Sequence, residues 1–259
     1  MSPVISSLFL GLLAFCLKKC LSEGDSSNQT VPALIRSFPT KSVADPKKKF
    51  VALTFDDGPH KVLTPRLLDV LKDKNAKATF FVMGIKAIMH PTIVKRAHQE
   101  GHEIANHAWN HPVMTKISRE ELSQQLKSTS EAIFNATGAH PKIMRPPYGN
   151  TNPDVNNFIY ENEHLNVILW SLDTRDWMRP GKEAVISRAV SGSAQGTVIL
   201  CHDIHPGTIE AIPSIIDSLH KAGFEFKTVS EMASLFYPSN AAATPSGGKR
   251  HLRGIGAST

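Results

Sequence analysis

Between residues 50 and 237 short β-prone runs alternate with helical stretches, and this alternation restricts the fold more than any other feature of the 259-residue chain. Strands are predicted over residues 50–55, 78–82, 102–104, 142–145, 165–170, 197–202 and 223–226. Helices are predicted near residues 64–74, 91–100, 118–137, 153–163, 182–190, 206–222 and 229–236. The longest opens with Ser118, Glu120 and Glu121, a capping signal, and stops before Gly138. Repeated strand–helix units imply an α/β fold with a parallel sheet, because a crossover helix returns the chain to the starting edge of the next strand. Seven units in one domain favour barrel-like closure, with a doubly wound open sheet as the alternative. In either case reactive residues gather where strands end. Five predicted strand ends lead to ionisable groups: Asp56 and Asp57, His107, Arg145, Asp173, and His202.

The charge pattern separates this segment from its flanks. The chain carries 29 Lys and Arg against 23 Asp and Glu, a net charge of +6. Residues 1–49 hold seven of the basic and three of the acidic residues, and residues 238–259 hold three and none. The central segment therefore has a net charge near −1, which argues against a nucleic-acid partner. With 41% hydrophobic and 20% charged residues, a sizeable core is available and disorder throughout is excluded. Val4 to Leu17 is almost wholly apolar, the length of a signal-peptide core and shorter than a membrane span. Residues 1–22 are expected to be a signal peptide or membrane anchor, cleavage falling after Ser22 if it occurs. Lys18 and Lys19 follow the apolar run instead of preceding it, which keeps the anchor open. Loss of this segment would remove Cys16 and Cys20 and leave Cys201 without a disulfide partner. The triplets Asn28-Gln29-Thr30 and Asn135-Ala136-Thr137 fit a secretory route. Residues 23–49 read as a polar linker and residues 238–259 as a disordered tail. A secreted monomer is expected, with basic ends suited to an acidic wall or membrane surface.

Chemistry is written into the strand ends. In Thr54 to Pro59 (TFDDGP) two adjacent carboxylates follow an apolar run, where they repel each other and lose solvation unless a cation sits nearby. Side chains of neighbouring residues diverge, so one Asp can bind a metal while the other acts as a base. His107 and His111 are four apart, and on a helical turn both imidazoles would face one way. With Asp57 they form a two-histidine, one-carboxylate set that leaves coordination positions open. His98 and His102 share the spacing but have no acidic turn to join, and serve as a comparison pair expected to be partly exposed. In RPPYG, Arg145 supplies a permanent cation whose planar fork suits a carboxylate. DTRDW places Asp173, Asp176 and Trp177 together, and LCHD places His202 after a buried strand, where a carboxylate can raise its pKa.

These five motifs, ordered from Thr54 to Asp203 over 150 residues, resemble the polysaccharide deacetylases with a NodB-homology domain, carbohydrate esterase family 4. The resemblance implies a distorted (β/α) barrel over residues 50–237. It further implies that Asp56 is the catalytic base, oriented by Arg145, and that Asp57, His107 and His111 hold one divalent metal ion, zinc being usual in the family. His202 would be the general acid tuned by Asp176. The backbone N–H of Tyr148 would help hold the oxyanion, and Trp177 and Leu200 would line a pocket for the acetyl methyl. The implied reaction removes N-acetyl groups from a β-1,4-linked N-acetylglucosamine polymer, chitin or its oligomers first and peptidoglycan second. An O-acetyl xylan esterase and a non-catalytic wall protein are the alternatives. Ala108 stands where the family carries Ser or Thr after the first metal histidine, which calls the bracing of the histidine loop into question.

Overall fold

Strand β2 (Lys49–Gly58) is the axis of the fold, and its sequence shows why. A strand buried on both faces loses the apolar/polar alternation of a half-exposed one, and residues 50 to 56 of β2 are buried without interruption. The computed structural model describes residues 34–40 and 47–238. After β1 (Leu34–Ile35) and β2 come α1 (Leu63–Asp73), β3 (Thr79–Val82), α2 (Gly84–Met89), α3 (Pro91–Gln99) and β4 (Glu103–Asn106). There follow α4 (Arg119–Thr137), β5 (Ile143–Met144), α5 (Pro153–Glu163), β6 (Asn166–Ile168) and β7 (Leu172–Asp173). The series ends with α6 (Lys182–Gly192), β8 (Thr197–His202), α7 (Pro206–Lys221), β9 (Phe224–Phe226) and α8 (Val229–Phe236). Ser118 caps α4 by accepting the Glu121 N–H, and Gly138 ends it in the left-handed region, as the sequence predicts.

All strand pairs are parallel, in the order β1-β6-β5-β4-β3-β2-β8-β7, with β9 added to β2. The path curls on itself. Strands β6 and β7 lie towards opposite ends of this order yet are joined by Leu169, Trp170 and Ser171 alone. Four residue steps reach at most about 14 Å, so the two edges must face each other, and the sheet forms a distorted barrel. The linking residues bond to both sides: Leu169 N–H donates to Ile35 O and Ser171 N–H to Val198 O. The single strand expected over residues 165–170 is thus divided, its last residues bridging the gap.

Side chains alternate along β2. Val51, Leu53 and Phe55 pack outward with Leu67, Leu68 and Leu71 of α1 and Ile212, Ile215 and Ile216 of α7. Phe50 and Ala52 join Phe81, Ala105, Ile143, Ile168 and Val198 within the curl, where Val229, Met232 and Phe236 of α8 cover one end. The same inward row continues through Thr54 to Asp56, so the core turns polar towards the strand ends. No helix among the described residues is long and apolar enough to cross a membrane. The expected signal peptide or anchor, and the tail apart from Pro238, lie outside the described residues.

One expectation is corrected. Part of the polar linker belongs to the fold: Leu34 and Ile35 pair with Val167 and Ile168. Phe38 is buried with its ring centroid 5.3 Å from that of Phe236 and 6.1 Å from that of Tyr237. Its N–H donates to Gly196 O at 2.9 Å. Ile35 and Phe38 join the cluster that α8 covers, and Leu34 packs against the cluster that includes Leu122, Val155 and Val167. A chain beginning at residue 46 should therefore unfold at lower denaturant concentration than one beginning at residue 31. Phe38→Ala should remove about 3 kcal/mol, the usual scale for an excavated core phenylalanine, and chemical denaturation at equal m-value measures it.

Candidate active site

The carboxyl ends of the strands enclose a cavity of about 460 Å³ lined by Asp56, Asp57, His107, His111, Tyr148, Trp170, Asp173, Trp177, Leu200 and His202. Adjacent residues of a regular strand point to opposite faces, so the presence of both aspartates needs a cause. It is a bulge: Asp56 pairs with Phe81 and Gly58 with Val82, leaving Asp57 unmatched and in the left-handed region at φ 71°. The bulge turns the second carboxylate towards the first. Lys86 holds the turn by donating to Asp57 O at 2.7 Å. Gly58 is required because a Cβ there would lie 2.4 Å from both carboxylate oxygens of buried Asp203. Burial pushes the Asp203 carboxyl up to about 7.

Asp57, His107 and His111 bring one ligand atom each within 4.8 Å of the others. Asp57 Oδ1 lies 3.3 Å from His107 Nε2 and 3.2 Å from His111 Nε2, without the alignment of a hydrogen bond. It is a buried acceptor with no donor, which is costly unless a cation fills the place. The tautomer fits as well. His107 Nδ1 lies 2.7 Å from the carbonyl oxygen of Arg145 and must donate to it, which leaves Nε2 with a lone pair facing Asp57. The donor set therefore fits a divalent ion such as zinc.

The histidines do not meet through a helix. Residues 107–111 form a loop in which Ala108 and His111 are left-handed, at φ 60° and 66°. Two amides missed in the sequence brace it. Asn106 accepts the Ala108 N–H at 2.8 Å while donating to Leu126 O and Ser130 Oγ. Gln125 of α4 accepts the N–H groups of Trp109 and Asn110 at 2.9 and 3.1 Å and donates to Asn110 Oδ1. The hydroxyl that Ala108 lacks is thus answered by amides from β4 and α4. His111 packs edge-on to Tyr148, centroids 4.4 Å apart, across a turn where Tyr148 is itself left-handed.

Arg145 is fully buried at the end of β5. Its Nη1 donates to Asp56 Oδ1 and Thr54 Oγ1, both at 2.7 Å, while Nη2 and Nε donate to the Leu169 and Ile168 carbonyls. The guanidinium also lies 4.1 Å from the Phe81 ring centroid. Asp56 Oδ2 is left facing His107 Nε2 at 3.9 Å. On the other side, His202 Nδ1 lies 2.8 Å from Asp176 Oδ1, and the His202 N–H and Thr208 hydroxyl both donate to Oδ2 at 2.7 Å. Burial would depress the His202 imidazole, but Asp176 outweighs it and raises the pKa to about 9. Burial would likewise raise Asp176, yet its bonds from His202 and Thr208 hold it below the ordinary value.

Eight of the ten site residues read from the sequence line the cavity, and Arg145 and Asp176 stand directly behind it. Trp177 is 52% exposed at the rim, while Leu200 is buried in the wall. Trp170 and Asp173 are additions. The comparison pair does not converge on an acidic turn. His102 is 4% exposed, not partly exposed as expected, and accepts the Ala78 N–H, and burial holds its pKa at about 4.

Residues 43–165 match the family model described as polysaccharide deacetylase. The peptidoglycan-N-acetylglucosamine deacetylase PgdA of Listeria monocytogenes is 42% identical over 71% of this chain, which spans only 39% of that protein. A chitooligosaccharide deacetylase of Sinorhizobium fredii is 34% identical, over 75% of this chain and 95% of its own length. A solved peptidoglycan N-acetylglucosamine deacetylase superposes with a TM-score of 0.72 at 36% identity, covering 77% of this chain and 92% of that one.

His107→Ala and Asp57→Ala should abolish tight zinc binding, whereas His98→Ala should retain it. Gln125→Ala should weaken affinity about 10- to 100-fold, the usual cost of losing an outer support, with the far-ultraviolet circular dichroism unchanged. Competition titration against a chromophoric chelator reads all four.

Proposed function

The chain belongs to the polysaccharide deacetylase family, and from that premise and the site geometry we propose that it hydrolyses N-acetyl groups of a β-1,4-linked N-acetylglucosamine polymer and releases acetate. The observation that carries this reading is the pairing of two proton-handling groups across one cation-binding set, Asp56 with Arg145 on one side and His202 with Asp176 on the other. Asp57, His107 and His111 are the residues that would hold the metal, for which zinc is our choice. A divalent ion there supplies Lewis-acid activation of the acetyl carbonyl and of the attacking water.

The rest is done by the chain. Asp56 has one oxygen committed to Arg145 and the other facing the cation set, the orientation required of a base that takes the proton of an attacking water. His202 carries a proton at neutral pH because of Asp176, and can pass it to the departing nitrogen, which would otherwise leave as a very basic anion. Leu200 and the rings of Trp170 and Trp177 give the cavity an apolar side suited to the acetyl methyl. Tyr148 lines the cavity, and on this reading its backbone N–H would help hold the developing oxyanion. We place the reaction outside the cell, with residues 1–22 as the export signal or anchor and the basic ends as contacts to wall or membrane.

Acetate release from chitin oligomers, peptidoglycan and acetylated xylan, with and without chelator, tests the assignment. Release from the amino-sugar polymers that stops on chelation and returns with a divalent ion is expected. Release from xylan alone would make the protein an O-acetyl esterase, and a metal-loaded protein that releases nothing would make it a non-catalytic binder.

Two further outcomes follow from the geometry. Asp56→Asn retains an oxygen for Arg145 and all three metal ligands, so it should bind zinc normally while turnover falls ~10²- to 10⁴-fold, the range for a lost general base. The pH–rate profile should fall on the alkaline side at or below about 9, because the proton-donating form of His202 is present below its raised pKa and lost above it. Asp176→Asn removes the cause of the raised value and should move this limb down; a profile that stays put would exclude His202 as the acid.

A further inference from the structure

Asp173 is a carboxylate of the cavity that the metal set and the two proton-handling pairs leave unused. It ends β7 opposite Leu200 of β8. Its position is fixed from two directions: Oδ1 accepts the Arg175 N–H at 2.7 Å and Oδ2 accepts the Trp177 indole N–H at 3.4 Å. The first bond closes an Asx turn, the Asp173 side chain accepting the N–H two residues on. A carboxylate has roughly four lone-pair directions, so these donors leave acceptor capacity; the Trp177 indole has no further N–H, and its backbone N–H is given to Asp176. What this wall presents is an acceptor in a fixed place. A hydroxyl of the ligand satisfies it, whereas an ether oxygen or a second carboxylate leaves two acceptors opposed.

Building on the deacetylase reading, we infer that Asp173 determines specificity by accepting a hydrogen bond from the 3-hydroxyl of the sugar being deacetylated. The 3-hydroxyl is on the carbon next to the acetamido carbon, so it enters the cavity with the reacting group. In N-acetylglucosamine it is a free donor. In N-acetylmuramic acid the same oxygen is an ether carrying a lactyl group, which offers no donor and adds bulk. The protein therefore acts on N-acetylglucosamine units and spares N-acetylmuramic acid units of a mixed polymer. Asp173 also keeps the Trp177 ring in place, and the two roles are separable, because Trp177→Phe keeps a ring and leaves Asp173 held by Arg175.

The test compares N,N′,N″-triacetylchitotriose with its 3-deoxy analogue by kcat/KM, with metal content measured for every protein. The wild type should lose about 10- to 100-fold on the analogue, the scale of a hydrogen bond to a charged group. Asp173→Ala, which removes the acceptor, should lose a similar factor on the parent, mainly in KM, and little more on the analogue, as a double-mutant cycle requires when the two partners interact. Trp177→Phe should keep the wild-type discrimination. Peptidoglycan treated with the wild type should show free amines on glucosamine and none on muramic acid by mass spectrometry. Equal use of parent and analogue by the wild type would overturn the inference without recourse to any variant, as would free amines on muramic acid. Failure to release acetate from any of these substrates would instead overturn the deacetylase reading on which it rests.

Discussion

A permanent cation at the centre of the barrel must be neutralised there, and the rest of the site is arranged around that requirement. Arg145 has no solvent contact. Removing a guanidinium from water costs several kcal/mol, and only good geometry with satisfied donors offsets it. The chain supplies the Asp56 carboxylate, the Thr54 hydroxyl, the Ile168 carbonyl at the end of β6, the Leu169 carbonyl of the β6–β7 link and the face of Phe81. These partners come from β2, β3, the end of β6 and the segment that bridges the curled edges. The ion pair is therefore a condition on the whole sheet: it is complete only when β5, β2 and the bridge are in register. The same carbonyl end of Arg145 receives the His107 Nδ1–H. One residue thus orients Asp56 through its side chain and His107 through its backbone.

The second constraint is backbone strain at the ligands. Asp57, Ala108, His111 and Tyr148 all adopt positive φ without being glycine. Such conformations cost of order 1–3 kcal/mol each and persist only where the surroundings over-determine them. The surroundings here are specific: the bulge between β2 and β3, the Lys86 bond to Asp57 O, and the Asn106 and Gln125 amides around the histidine loop. Regular strand and helix periodicity could not have aimed Asp56, Asp57, His107 and His111 at one point. Irregular backbone at the strand ends does so, held by regular structure beneath it.

This explains which parts were legible in the sequence. Strand positions and the residues at their ends were readable because burial on both faces leaves apolar runs and reactive groups follow them. The pairing of His107 with His111 was readable from spacing, but its geometry was not, since four-residue spacing serves a helix and a folded loop equally. The Asp57 bulge left no mark, because adjacent carboxylates look the same in a bulge as in a turn. Asn106 and Gln125 were invisible for a different reason: a polar side chain in a strand or helix reads as solvated until tertiary structure buries it. Leu34, Ile35 and Phe38 were too sparse among polar neighbours to mark a strand, and they are stabilised only by the core they complete.

The two sides of the cavity solve opposite electrostatic problems with the same kind of part. On one side a fixed cation, Arg145, holds a carboxylate; on the other a carboxylate, Asp176, holds an imidazole. The first arrangement leaves one oxygen of Asp56 facing His107, as the proposed reaction requires of the group that takes a proton. The second leaves His202 on the cavity wall and protonated near neutrality, as the proposed reaction requires of the group that gives a proton. Groups with opposed tasks must keep opposed protonation states at one pH, and direct contact between them would allow the proton to pass at once from acid to base. The set of Asp57, His107 and His111 lies against the Asp56 side, at 3.9 Å from His107 to Asp56, while the hydrogen-bonded partner of His202 is Asp176, with Asp56 and Asp57 adding to the same upward shift. Hydrolysis of an amide needs this separation more than hydrolysis of an ester, because the nitrogen leaves only after it has been protonated.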